Sequence, residues 1–148
     1  MKKLLFAATA VVALMCAAKA DVAWSWWLDN KMATPDISLG IASKCMSVSA
    51  LELSLLYSAS SVKDGAQLAF FVNDSSADCA LQMTSIFNRG GKPCVQLGMI
   101  NIANENVFNL GFVNFADKSK VQLGFLNFNK NGFLPVFPFI NLDKSLFD

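Results

Sequence analysis

The chain has 148 residues, with 12 Lys/Arg against 11 Asp/Glu, no histidine, and hydrophobic side chains at 54% of positions. A near-neutral balance without a basic stripe argues against nucleic acid as a partner. The missing histidine removes the commonest general base and the commonest metal ligand, and nothing else in the chain points to a cofactor.

The N-terminus reads as an export signal over residues 1–20. Lys2 and Lys3 precede an almost purely apolar run from Leu4 to Ala18, and Ala18-Lys19-Ala20 places small residues where a signal peptidase cuts. The run is shorter than the ~20 residues a spanning helix needs. Met15 stands before Cys16 where a lipoprotein signal requires a small residue. Cleavage is expected between Ala20 and Asp21. The chain from Asp21 to Asp148 suffices for one domain. Residues 21–36 form a Trp-rich N-terminal cap: Trp24, Trp26 and Trp27 are expected as an aromatic lid on the first repeat, with membrane-interface anchoring as the alternative.

A β-repeat domain is expected over 37–141, followed by a tail over 142–148. Val95-Gln-Leu-Gly-Met-Ile-Asn101 recurs as Phe108-Asn-Leu-Gly-Phe-Val-Asn114 and as Val121-Gln-Leu-Gly-Phe-Leu-Asn127, in steps of 13 residues. Looser copies precede them at Ile37–Ser43, Leu51–Tyr57, Ala66–Asn73 and Leu81–Asn88. A column of small residues runs through all seven units: Gly40, Ser54, Ala69, Thr84, Gly98, Gly111 and Gly124. Two residues earlier the column is always polar: Ser38, Glu52, Gln67, Gln82, Gln96, Asn109 and Gln122. Each unit is strand-like, bounded by turn segments such as Arg89-Gly-Gly-Lys92 and Asn129-Lys-Asn-Gly132, and Glu52 is the one charge inside a unit.

The fold class is therefore all-β, a repeat array of about eight short strands. A β-solenoid suits the repeats: Gln96 and Gln122, with Asn101, Asn114 and Asn127, form polar columns that can bond along a parallel stack, and Gly98, Gly111 and Gly124 let each coil bend. An antiparallel meander or a small eight-stranded β-barrel is the alternative, because both strand faces are largely apolar. The final unit, Phe133-Leu-Pro-Val-Phe-Pro-Phe-Ile-Asn141, puts Pro138 in the small column and is expected to cap the array, since proline belongs on an edge. Phe70, Phe112 and Phe125 share one column, with Phe115 and Phe128 beside it; core packing is the ordinary expectation, and an exposed apolar strip for a partner or membrane is the alternative.

Cys45, Cys79 and Cys94 follow the signal. Cys79 and Cys94 sit just before successive units, so parallel stacking predicts that they are close enough to form a disulfide, with Cys45 free. Ser60-Ser-Val-Lys63 matches a nucleophile–base spacing, but it lies in a loop with no accompanying motif. Asp74 and Asp78 lack the dense acidic spacing of a calcium loop. Asn73-Asp-Ser75 is a formal glycosylation sequon at a position already taken by the repeat.

The run Val95–Asn127 and the closing Asn129–Asn141 resemble a family of exported bacterial surface-repeat proteins with units of the form G-h-Q-h-G-h-h-N, where h is apolar. The resemblance covers about Ile37 to Asn141 and is closest from Val95 onward. It implies export to the periplasm, outer membrane or cell surface, and it brings no catalytic residues. The expected function is a structural or interaction role in the cell envelope, without catalysis, toward an unknown envelope or surface partner or a membrane; the alternative is a small outer-membrane barrel acting as scaffold or pore.

Overall fold

The computed structural model describes residues 20–25, 34–45, 47–60, 65–76 and 78–147. The proposed signal sequence, apart from Ala20, together with Trp26, Trp27 and Lys63, lies outside the described residues.

Each repeat forms a coil, and the coils stack through parallel pairing into one continuous β-solenoid. The first strands are β1 (Val22–Ser25), β2 (Ile37–Ser43), β3 (Leu51–Ser58), β4 (Ala66–Ala69) and β5 (Val72–Ser75). They continue as β6 (Leu81–Met83), β7 (Phe87–Gly90), β8 (Val95–Leu97), β9 (Ile100–Leu110), β10 (Val113–Asn129) and β11 (Val136–Leu142). The chain is a stack of coils with a filled interior, not a closed barrel, so the barrel and antiparallel-meander alternatives are set aside.

A repeat unit is not one straight strand, which is why there are more strands than the eight expected. The chain bends at the small residue, so the two ends of each unit lie in two different sheets. One sheet stacks Leu51, Ala66, Leu81, Val95, Phe108 and Val121 in register. The other stacks Tyr57, Val72, Phe87, Ile100 and Val113. The chain returns from the second sheet to the first without leaving the strands, through the middle of β9 at residues 104–106 and of β10 at residues 117–119.

The two sheets face each other across an interior made mainly of amides. Gln67, Gln82, Gln96 and Gln122 point in from the first sheet, and Asn73, Asn88, Asn101, Asn114 and Asn127 point in from the second, all 0% exposed. Parallel register places each of these side chains directly beneath its repeat at about the 4.8 Å strand spacing, which suits an amide–amide hydrogen bond. Asn73 Nδ2 donates to Asn88 Oδ1, Asn88 to Asn101, Asn101 to Asn114 and Asn114 to Asn127, at 3.1, 2.9, 2.8 and 2.8 Å. An amide nitrogen has a second hydrogen. Asn88 donates it to the Leu97 carbonyl, Asn101 to Leu110 and Asn114 to Leu123, each the residue just before the next coil's glycine. The ladder therefore also fixes the bends.

The first sheet's ladder runs the other way. Gln96 Nε2 donates to Gln82 Oε1, Gln82 to Gln67 and Gln67 to the Glu52 carboxylate, at 2.7, 2.8 and 3.1 Å. Glu52 has no donor and ends the ladder; it also accepts from the hydroxyls of Ser43 and Ser60 at 2.5 and 2.6 Å. Toward the C-terminus the ladder breaks at Asn109. Its side chain is one methylene shorter than glutamine and its oxygen is taken by Asn106, which leaves Gln96 Oε1 and Asn109 Nδ2 without partners.

The identity of the small residue follows the length of the bend. Gly98, Gly111 and Gly124 lie three residues before their Asn, and Gly40 three before Ser43, whereas Ser54, Ala69 and Thr84 lie four before Ser58, Asn73 and Asn88. In the short bends the backbone runs against the preceding coil. A Cβ on Gly111 would stand 2.3 Å from the Gly98 carbonyl oxygen and 2.5 Å from Asn101 Nδ2, and one on Gly124 2.2 Å from the Gly111 oxygen. One more residue relaxes the bend and admits a side chain.

Both ends differ from the sequence reading. The stack begins inside the expected cap: β1 pairs in parallel with β2, with Trp24 opposite Leu39, and Trp24 is 69% exposed on the outer face rather than folded in as a lid. At the other end β11 does cap the array as its edge strand, but it runs antiparallel to β10. Asn141 therefore opposes Gln122 instead of continuing the Asn ladder, and Phe139, rather than Pro138, opposes Gly124. The reversal is made at Lys130–Gly132 and secured by Asp143, which accepts from Asn131 Nδ2 at 3.0 Å and from the Ser145 amide at 2.8 Å. Burial works to raise the Asp143 carboxyl, but these hydrogen bonds and the Lys118 charge outweigh it and hold the group below the ordinary carboxylate range. Phe139 has φ 66°, a left-handed conformation costly for an aromatic residue and placed where β11 is out of step with β10.

Steric crowding at the short bends makes Gly111→Val more destabilising than Val113→Ala. The first should cost about 1–3 kcal/mol by overpacking, while Val113 is only half-buried. Thermal melts of the two variants test this, and equal or reversed shifts would contradict the steric account.

Candidate functional site

The interior is occupied by amides, so the large apolar side chains stand outside. Phe70, Phe112 and Phe125 are each more than half exposed, and so are Leu55 and Met99. These residues follow the small residue of their units, which places them on the convex edge where each coil bends. They stack as a ridge: the Phe112 and Phe125 rings lie 5.1 Å apart and 5° from parallel, with Phe139 edge-on to Phe125 at 6.2 Å. Phe115 and Phe128 form a second stack, 4.5 Å apart, on the outer face of the second sheet. The ordinary expectation that stacked Phe columns are core is thus corrected. Strand alternation gives the inward positions to Gln and Asn, and the neighbouring outward positions to the rings.

Two shallow apolar hollows interrupt this surface. One, of about 650 Å³, lies beside the ridge toward the N-terminal end and is lined by Trp24, Leu39, Leu53, Leu55, Phe70 and Met83, among others. The other, of about 430 Å³, lies on the second sheet between Ile102, Phe115, Phe128 and Val136.

Charge is segregated to the opposite edge. Lys92 and Lys130 lie between strands, and Glu105, Asp117, Lys118 and Lys120 lie on the stretches of β9 and β10 that carry the chain back from the second sheet to the first. Lys92 pairs with Glu105 at 3.6 Å and Lys130 with Asp117 at 2.5 Å. Asp74 and Arg89 lie opposite each other on adjacent strands close to the same edge. Among the described residues, no charged side chain falls on the bend edge, and Glu52 and Asp143 are the acidic side chains that are buried.

The structural residues Gln96, Gln122, Asn101, Asn114 and Asn127, with Gly98, Gly111 and Gly124, come together as the ladders and bends described above. The chemical motifs do not converge. Ser60 is buried and spent on Glu52 and on the Cys45 amide, which donates to it at 2.8 Å; its partner in the motif, Lys63, lies outside the described residues. Asn73 of the sequon is 0% exposed inside the ladder. Among the described residues no group of three or more metal-type side chains comes together.

The candidate disulfide is corrected. Cys79 and Cys94 lie on neighbouring coils, as a parallel stack requires, and the Cys94 amide donates to the Cys79 carbonyl at 2.8 Å. Both, with Cys45, are free thiols. The pairing Leu81↔Val95, carried back along the strands, sets Cys94 opposite Ala80, so the two cysteines are one residue out of step. A one-residue offset sends side chains to opposite faces. Cys79 is buried with Cys45 and Val48, and Cys94 is exposed. Burial, first, and the neighbouring Cys94 push the Cys79 thiol up to about 12.

No family model, curated protein or solved structure matches this chain.

Two measurements test this allocation of side chains. Asn101→Ala should destabilise by at least ~2 kcal/mol, because it leaves Asn114 Oδ1 and the Leu110 carbonyl short of a donor inside the protein. Phe125→Ala should stay within about 1 kcal/mol, as expected for an exposed position; the opposite order would refute an amide interior. In alkylation of the folded protein at pH 8, Cys94 should react at least tenfold faster than Cys79 or Cys45, because only thiolate reacts and only Cys94 is exposed. A Cys79–Cys94 linked peptide in the non-reduced digest would overturn the offset.

Proposed function

We propose that this chain is an exported β-repeat protein of the bacterial cell envelope or surface that acts without catalysis, through its apolar exterior. The observation that carries the reading is the inverted placement of side chains. Folding ordinarily places phenylalanine and leucine inside and amides outside. Here strand pairing and the amide ladders hold the coils together, and the rings are left on the surface as contact area. A contiguous exposed apolar surface of this kind marks an interaction or membrane site.

Three further features support it. The Lys2-Lys3, apolar-run, Ala-Lys-Ala order is that of a secretory signal. The units resemble those of exported surface-repeat proteins. The acid–base candidates in the sequence are occupied as structural bonds, as Ser60 is, or dispersed along the charged edge. Among the described residues no helix is long and apolar enough to cross a membrane.

The test is expression in a Gram-negative host, followed by N-terminal sequencing and fractionation. The expected product begins at Asp21, lies in the envelope fraction, and withstands high salt but yields to detergent. A full-length cytoplasmic product, or release by salt alone, would refute the reading.

A further inference from the structure

Resting on that reading, we propose that the bend edge is a lipid-binding ridge, with the solenoid lying along a membrane surface, its Phe edge in the acyl layer and its charged edge in water.

The first ground is the sorting of charge around each coil. The bend edge carries Leu55, Phe70, Ile86, Met99, Phe112 and Phe125, and every one of them is exposed. The opposite edge carries Lys92, Glu105, Asp117, Lys118, Lys120 and Lys130. A cross-section apolar on one edge and charged on the other is the β counterpart of an interfacial amphipathic helix. The ridge extends over six coils, and five steps of ~4.8 Å make it roughly 24 Å long.

The second ground is the backbone. Hydrocarbon does not hydrogen-bond, so a chain entering it must satisfy its own polar groups. On the ridge the carbonyls do so from coil to coil. The carbonyls of Leu55, Phe70, Ile86, Met99 and Phe112 accept from the amides of Phe70, Ser85, Ile100, Val113 and Leu126, at 3.2, 3.0, 2.8, 2.9 and 3.1 Å. Parallel stacking thus takes up the carbonyls of a bend, usually the wettest part of a chain, and lowers the cost of its entry into hydrocarbon.

The third ground is shape, which favours lipid over a second copy. The rings project from a convex edge between two sheets. Two rigid convex edges meet along a line and bury little, whereas fluid acyl chains close around both flanks. The ridge also offers no charged partner for a protein rim, which an interface ordinarily includes.

The experiment uses the mature full chain and phosphatidylcholine vesicles, which carry no net charge. In flotation the protein should rise with the vesicles at both 0.1 M and 1 M NaCl, because screening does not weaken an apolar contact. The double variant Phe112→Ser with Phe125→Ser should lower the partition coefficient by about tenfold or more. Lys118→Glu with Lys120→Glu should change it less than twofold. Matching circular dichroism and melting curves will show that all variants remain folded. Orientation is read with an environment-sensitive dye: on Cys94 its emission should stay that of water when vesicles are added, and on Phe125→Cys in a Cys94→Ser background it should shift to the blue.

Absence of flotation, or flotation unaffected by the ridge variant, overturns the ridge. If the protein instead self-associates without lipid and the ridge variant abolishes this, the occupant is a second copy; the lipid proposal fails and the interaction reading stands. If neither lipid nor self-association depends on the ridge and the cellular protein is released by salt alone, both fail.

Discussion

Parallel, in-register stacking is the constraint on which the rest of this structure depends. It places every side chain about one strand spacing from its own repeat, so each inward position must be filled by a residue that packs on a copy of itself. Asparagine and glutamine meet that condition better than most polar residues, since each amide carries a donor and an acceptor that can face along the stack. The narrow space between the two sheets admits these amides and small residues such as Ala103 and Ala116. Phenylalanine has no room there and is displaced outward.

The two ladders are not equivalent. The Asn ladder donates toward the C-terminus, link after link from Asn73 to Asn127, and the Gln ladder donates toward the N-terminus, from Gln96 to Glu52. The rows of amide dipoles therefore oppose one another across the interior, which limits the field either would build alone. The Gln ladder finishes on a carboxylate that only accepts, an end that leaves no buried donor free. The Asn ladder is also tied to the main chain through the carbonyls at the bends. It is continuous through every coil it enters, whereas the Gln ladder is interrupted at Asn109.

A solenoid must also stop, because an open strand edge invites further pairing. This chain stops by reversing direction. β11 turns back on β10 with Pro135 preceding it and Pro138 within it, and with a left-handed Phe139 where register is lost, features that would disrupt an inner coil and are tolerated at an end. Asp143, fixed by Asn131 and Ser145, holds the reversal in place. Inside the stack the same tolerance is absent: the short bends at Gly98, Gly111 and Gly124 leave no space for a Cβ, and the longer bends at Ser54, Ala69 and Thr84 do.

The sequence by itself determined the repeat. A residue that must pack on its own copy recurs at a fixed interval, so the Gln, Asn and glycine columns could be read from Val95 to Asn127 alone; they favoured parallel coils, while the antiparallel meander and the barrel stayed open until the strands were seen to pair. It also left undecided which side of each strand faces in. Alternation fixes that neighbours point opposite ways, and it is equally satisfied with rings inside and amides outside, so Phe112 and Phe125 read as core. Only the closing of two sheets around a narrow interior assigned the amides inward. The one-residue offset that separates Cys79 from Cys94, and the reversal that sets Asn141 against Gln122, were likewise invisible. Both depend on pairing between distant segments, and a pairing register is a relation between two strands that neither strand's sequence contains.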